Sequence, residues 1–136
     1  MGPIYENITI KNSGDVGNAR RGIIKVTDIH QINVRALVST GTDLIIINED
    51  IRQQLNLDIL EKKQVSLAND NPVTCQVTEP VEVHWKDRST VVNALVLDGT
   101  REILLGAIPL EGMNLIVDPI NRKLKGIHGD EIIFRV

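Results

Sequence analysis

From residue 73 to residue 86 apolar and polar side chains alternate. Val73, Cys75 and Val77 are interleaved with Thr74, Gln76 and Thr78, and Val81, Val83 and Trp85 with Glu82, His84 and Lys86. Period-two alternation sends the two sets to opposite faces of a strand, so these segments read as half-exposed antiparallel β structure. The apolar inventory agrees. The chain holds 19 Ile, 14 Val and 13 Leu, and the stiff β-branched majority suits a pleated sheet better than a helix. At 136 residues the chain is long enough for one core that stands without staples, and no linker or low-complexity stretch divides it. The expectation is a mainly β, single domain over residues 1–136.

Charge and rare residues narrow the function. Fifteen Lys and Arg against eighteen Asp and Glu give a net charge of −3, with both signs scattered. A nucleic-acid binder needs a clustered basic face, and Tyr5, Trp85 and Phe134 are too few aromatics for a base-stacking platform, so no nucleic-acid partner is expected. Apolar runs such as Leu44–Ile47 are too short to span a bilayer, so no membrane partner is expected either. Cys75 is alone, which fits a reducing compartment; without a secretion or lipid signal after Met1 the expected localisation is cytoplasmic. His30, His84 and His128 share no metal-ligand spacing with each other or with Cys75, and no metal or other cofactor is expected.

Along the chain, a loose alternation through Ile4, Ile8 and Ile10 predicts a strand over about residues 4–11. Asn12–Arg21 reads as a polar loop, with Gly22–Asp28 and Gln31–Val38 as strands after it. Leu44–Ile47 is apolar on both faces and reads as a doubly buried strand. Asn48 is an N-cap, Glu49 and Asp50 suit a first helical turn, and Ile51 and Leu55 give that short helix an apolar face. Asn93–Leu97 is a strand closed by Asp98-Gly99. Ile103–Leu105 is a short buried strand meeting Gly106, and Pro109 opens a helical turn. Leu115–Val117 and the alternating Ile132, Phe134 and Val136 complete the strands.

Two features combine into a site. Val38-Ser39-Thr40-Gly41-Thr42 joins an apolar strand to a turn of small polar residues, with a second apolar strand and a helix following. Leu104-Leu105-Gly106 repeats the strand-to-glycine ending. Nearly the whole chain shares in the pattern, through Ile8–Asn12, Val34–Val38, Ile47–Glu49, Val65–Asn69, Ile103–Glu111, Leu115–Pro119 and His128–Glu131. On these residues the chain resembles the retroviral-type (retropepsin-like, clan AA) aspartic proteases, and in particular a bacterial branch of them. The resemblance implies a small closed barrel with one short helix, working as a homodimer on a peptide or protein substrate. Each subunit would give one carboxylate to a shared site, where one is protonated and the other ionised and together they activate water. Thr40 matches the threonine that ties the two turns together across the dimer. Gly41 matches the glycine that permits the tight turn.

The chain departs from the pattern at the decisive position: Ser39 stands where the family has Asp. A neutral hydroxyl cannot share a proton as a carboxylate does, so peptide hydrolysis is expected to be lost. A substitution introduced to silence an enzyme and a natural pseudoenzyme both fit this departure. The alternative of another class is a non-catalytic peptide-binding or interaction module that keeps the groove; a purely structural β domain is the weaker third.

On the substrate side the resemblance places Thr42, Asp43 and a flap carrying Ala68, Asn69, Asp70 and Asn71, with Asn and Asp where related flap tips have glycine. An ordinary hairpin loop is an equal reading of that flap segment. A polar strand edge is the simpler reading of Asp43. Asp98-Gly99-Thr100 resembles the missing tripeptide but has the composition of a turn, and Asp118 before Pro119 reads as a cap or turn. His30 reads as a hairpin residue, not a catalytic base, and Gly-x-Ser-x-Gly is absent around Ser39. Cys75 reads as a buried thiol and His84 as a solvated histidine. Ile132, Phe134 and Val136 read as core or as a terminal strand through which two copies pair.

Overall fold

The structure is a computed structural model that describes residues 2–66 and 71–129. Its strands are β1 (Tyr5–Asn12), β2 (Gln31–Val38), β3 (Ile45–Ile47), β4 (Ile59–Ser66), β5 (Pro72–Trp85), β6 (Arg88–Val96), β7 (Ile103–Leu105), β8 (Leu115–Asp118) and β9 (Lys123–Gly126). Helices α1 (Ser13–Arg20), α2 (Glu49–Gln54) and α3 (Ala107–Gly112) connect them. The order β1-β2-β7-β3-β6-β5 closes on itself because β5 also pairs with β1, from Thr9 opposite His84 to Asn12 opposite Val81. The result is the closed, mainly β barrel implied by the resemblance. β4 hangs outside the ring on β5, and β8 and β9 form a separate ribbon.

The short apolar strands sit where both faces are covered. β7 enters late in the chain yet lies between β2 and β3, parallel to the first and antiparallel to the second. β3 is flanked by β7 and β6, and Ile45, Ile46 and Ile47 are all buried. Each such side chain contributes about 1.5–3 kcal/mol on leaving water. This explains why Leu44–Ile47 lacks the alternation of the outer strands.

β5 explains how one barrel carries two apolar clusters. Cys75, Val77, Val81 and Val83 share one parity, yet Val81 and Val83 pack in the barrel core while Cys75 and Val77 pack with Ile46 and Leu95 in a second cluster. The register shift between Val77 opposite Leu95 and Pro80 opposite Asn93 puts Thr78 and Glu79 against Ala94 alone. This bulge turns the later half of the strand over. Proline, which cannot donate to a ladder, is at home there. The Thr78 hydroxyl accepts from the Ala94 amide at 3.2 Å and donates to the Glu79 carbonyl at 2.7 Å, while Asn93 donates to the Thr78 carbonyl at 2.7 Å.

The short helix after Asn48 forms as its residues dictate, with the Asn48 side chain accepting from the Ile51 amide at 2.9 Å. The turn at Pro109 extends into α3. Two stretches differ from the sequence-based expectation. Asn12–Arg21 is not a loop: Ser13–Arg20 is helical, capped by Asn12, whose amide also donates to the carbonyls of Leu55 and Asn56. Gly17 is the one buried residue of α1, so the helix has no apolar stripe to betray it. Gly22–Asp28 is not a strand but a turn and a 3-10 helix over Val26–Asp28, leaving Ile23 67% and Val26 73% exposed. Among the described residues the β-branched run finds no strand partner: β1 pairs with β2 and β5, and β2 with β1 and β7. β9 has too few residues for its alternation to show, and the expected strand through Ile132, Phe134 and Val136 lies outside the described residues. Among the described residues no helix is long and apolar enough to cross a membrane.

The bulge should be a measurable support. Thr78→Val keeps the volume but leaves the buried Ala94 amide without its acceptor, a loss of about 1–3 kcal/mol. Urea unfolding should show a lower midpoint with an unchanged slope.

Candidate active site

The turn after β2 is held from two sides by main-chain groups. The Ser39 amide donates to the Leu105 carbonyl at 2.9 Å, extending the β2–β7 pairing by one residue, and the Thr42 amide closes the turn on the Ser39 carbonyl at 3.1 Å. From beneath, the amides at the start of α3 complete the frame. Ala107 donates to the Thr42 carbonyl at 2.7 Å and Ile108 to the Asp43 carbonyl at 2.9 Å. The approach depends on Gly106, where a Cβ would stand 2.1 Å from the Leu44 carbonyl oxygen and 2.4 Å from that of Thr42. The second strand-to-glycine element is therefore the support of the first.

Gly41 has a different basis from the expected one. No atom of the described residues lies within 4 Å of a Cβ built there, and its φ is outside the left-handed region. Among the described residues nothing requires glycine at 41; the glycine demanded by close packing is Gly106.

Ser39 is half-buried, with its Oγ 2.8 Å from the Oγ1 of Thr42. Thr40 and Gly41 are exposed at the crest of the turn. Beside it opens a groove of about 840 Å³. Ser39, Thr42 and Asp43 form one end, and Ile46, Leu95, Leu97 and Leu104 give it an apolar floor. Gln64, Val65 and Ser66 of β4 stand on the other side. Ile46 and Leu95 belong to the second cluster, so the bulge in β5 lays the groove's floor. Asp43 is exposed and is the one ionisable group among the described residues that line the groove.

Of the expected substrate-side residues, Thr42 and Asp43 thus share the groove with Ser39. Ala68, Asn69 and Asp70 lie outside the described residues. Asn71 is exposed, immediately before β5. The paired ends of β4 and β5, with Ser66 opposite Pro72, flank that segment. The groove floor and the Thr42 hydroxyl contact escaped the sequence reading. The two-sided apolarity of Leu44–Ile47 was the available signal for the floor.

The other candidates are occupied elsewhere. His30 is tied to Asp15 at 2.7 Å and half-buried His84 to Glu82 at 2.8 Å. Asp98 and Gly99 form a turn, Gly99 at φ +80°, and with Thr100 they line a recess beside Asn48 and Glu49. Asp118 is a turn residue. Its carboxylate accepts from the Asn121 side chain and from the amides of Asn121 and Ile120, which hold its carboxyl below the usual carboxylate range. Cys75 is buried, and that burial pushes its thiol up.

A closed six-stranded barrel that sets a small polar turn on a late, glycine-ended strand beside an apolar groove is the architecture of the retropepsin-like class. The aspartyl protease family model matches residues 25–107, more than half of the chain, taking in the turn, the groove walls and Gly106. The chain belongs to that family. No curated protein matches it closely enough to count as a relative.

The two glycines should separate on substitution. Gly106→Ala forces backbone apart and should lower stability by roughly 1–3 kcal/mol or more. Gly41→Ala meets nothing and should stay within about 0.5 kcal/mol. Chemical denaturation of both variants at a concentration that keeps the protein monomeric reads the difference.

Proposed function

We propose that the chain is half of a homodimeric aspartic endopeptidase-type site, silent as written because Ser39 occupies the position of the catalytic carboxylate. The observation that carries this reading is the placement of Ser39. Its side chain lines an apolar groove from a turn fixed by main-chain bonds at both ends, with Thr40 and Gly41 exposed next to it. Two such turns meeting at a two-fold axis would bring two position-39 side chains together. The Thr40 hydroxyls would tie the turns across the axis, and Thr42, Asp43 and the 68–71 segment would border the bound peptide. The substrate is an extended peptide or protein segment, laid over the groove floor and paired with strand edges.

The chemistry fails at one step. Hydrolysis without a covalent intermediate needs a base to take a proton from water and an acid to assist the carbonyl, and a carboxylate pair sharing one proton supplies both. Ser39 supplies neither, and its hydroxyl is engaged with Thr42. A serine nucleophile would need a positioned base, and no histidine or lysine is among the described residues that line the groove. His30 and His84 are bonded to Asp15 and Glu82, and His128 is exposed on the segment after β9. The preserved groove favours one second reading, a non-catalytic module that binds peptides without cutting them.

Ser39→Asp should restore cleavage of unstructured peptides between about pH 4 and 7, raising the rate at least about a hundredfold over the parent. A folded, dimeric Ser39→Asp protein that cuts nothing overturns the protease reading, as does a chain that stays monomeric at every accessible concentration. In that background the Thr42 hydroxyl would donate to the ionised carboxylate and favour its charged form. Thr42→Val should therefore raise the pKa that governs the acid limb, moving that limb of the rate profile to higher pH.

A further inference from the structure

Away from the groove, the tip of the β5–β6 hairpin meets the β8–β9 ribbon around a buried cation. Arg88 is the first residue of β6 and only 5% exposed. Its guanidinium donates to the carbonyls of Met113, Asn114 and Gly129 at 3.0, 2.9 and 2.8 Å. A guanidinium has five N–H donors, and buried charges are as a rule matched by an opposite charge. Among the described residues no carboxylate pairs with Arg88. The pocket is shaped to the head group: a Cβ on Gly126 would stand 2.4 Å from Nη2.

Arg88 forms part of the wall of a cleft of about 260 Å³. Lys86, Lys123 and Lys125 line the same cleft, with Asp87 the one acidic residue among the described lining residues. Lys123 and Lys125 are two apart on β9 and so leave the same face of the strand. Among the described residues neither is in an ion pair, and Lys125 acts on the Asp118 carboxylate of β8 only through its charge. The Lys86 ammonium lies 4.5 Å from the centre of the Trp85 ring, and Trp85 is a further wall. Among the described lining residues four cations stand against one carboxylate, and like charges so close repel one another. An oxyanion relieves that repulsion and takes up guanidinium donors.

We infer that the cleft bounded by Arg88, Lys123, Lys125 and Trp85 binds a small oxyanion of the phosphate type, free or as a phosphate monoester. The cleft is smaller than the roughly 300–1,000 Å³ of sites that enclose drug-sized organic ligands, so the phosphate group is what it holds. The inference is independent of the protease reading.

Trp85 is the sole tryptophan, so its emission reports this cleft. The full chain is titrated with inorganic phosphate and, separately, with glycerol phosphate, at ionic strength held constant with sodium chloride. The thermal midpoint is followed in parallel. A saturable emission change or a saturable rise in midpoint is expected. Saturation by inorganic phosphate identifies a free-anion site, and saturation by glycerol phosphate alone identifies a site for an esterified phosphate. Lys123 and Lys125 are exposed, so Lys123→Gln/Lys125→Gln should fold as the parent does, which its midpoint without anion checks. It should bind about tenfold more weakly, the loss of two exposed charge contacts. A response that never saturates, that chloride reproduces, or that the double variant retains in full overturns the inference.

Discussion

The structure depends on a late strand wedged between two early ones. β7 takes its place between β2 and β3, and everything chemically interesting follows from where it stops. Its last carbonyl, on Leu105, accepts from Ser39, and its following glycine lets the chain pass beneath the turn. The next two amides then reach the carbonyls of Thr42 and Asp43. A parallel pair such as β2–β7 cannot be closed by a tight hairpin. The pairing brings together segments more than sixty residues apart, and the turn has no rigid support until that long-range contact has formed.

The β5 bulge is the second constraint, and it couples the core to the groove. Without the extra residue at Thr78–Glu79, side chains of one parity would all face the barrel interior, and one strand could not serve two clusters. With it, Val81 and Val83 fill the barrel while Cys75 and Val77 back the groove floor through Ile46 and Leu95. A slip of one residue in that register would exchange the faces. The Thr78 hydroxyl, buried and bonded on both sides, is what pins it.

These two constraints also mark what was legible in the sequence. β2, β3, β7 and the helix after Asn48 could be read because their signals are local: unbroken apolarity for strands covered on both faces, a capping residue, a glycine ending. The closure of β5 on β1 and the position of β7 are long-range facts that no window of residues contains; the resemblance implied a closed barrel but neither of these pairings. The bulge was hidden because alternation continues in the same parity on both sides of it, with Pro80 as its sole mark. α1 was hidden for the opposite reason. Its helix rests on the Asn12 cap and on that side chain's bonds to Leu55 and Asn56 rather than on any apolar stripe. At the site, Ser39, Thr42 and Asp43 were placed by their order along the chain. The burden carried by Gly106 rather than Gly41 appears only when the turn and α3 are seen in contact.

That distribution of support bears on how a protease framework can carry serine at its central position. Every bond that fixes the turn runs through the main chain: the Ser39 amide and carbonyl, the Thr42 amide and carbonyl, the Asp43 carbonyl. Among the described residues the side chain at 39 makes one hydrogen bond, to the Thr42 hydroxyl. A hydroxyl or a carboxylate there would leave that frame the same. In the proposed dimer serine would also spare the pair a repulsion, because two ionised carboxylates about 4 Å apart at an effective dielectric near 20 oppose each other by about 4 kcal/mol. A shared proton is how such a pair avoids that opposition. The frame of the turn therefore does not depend on which side chain stands at position 39, and the architecture that places the chain in its family is independent of that side chain.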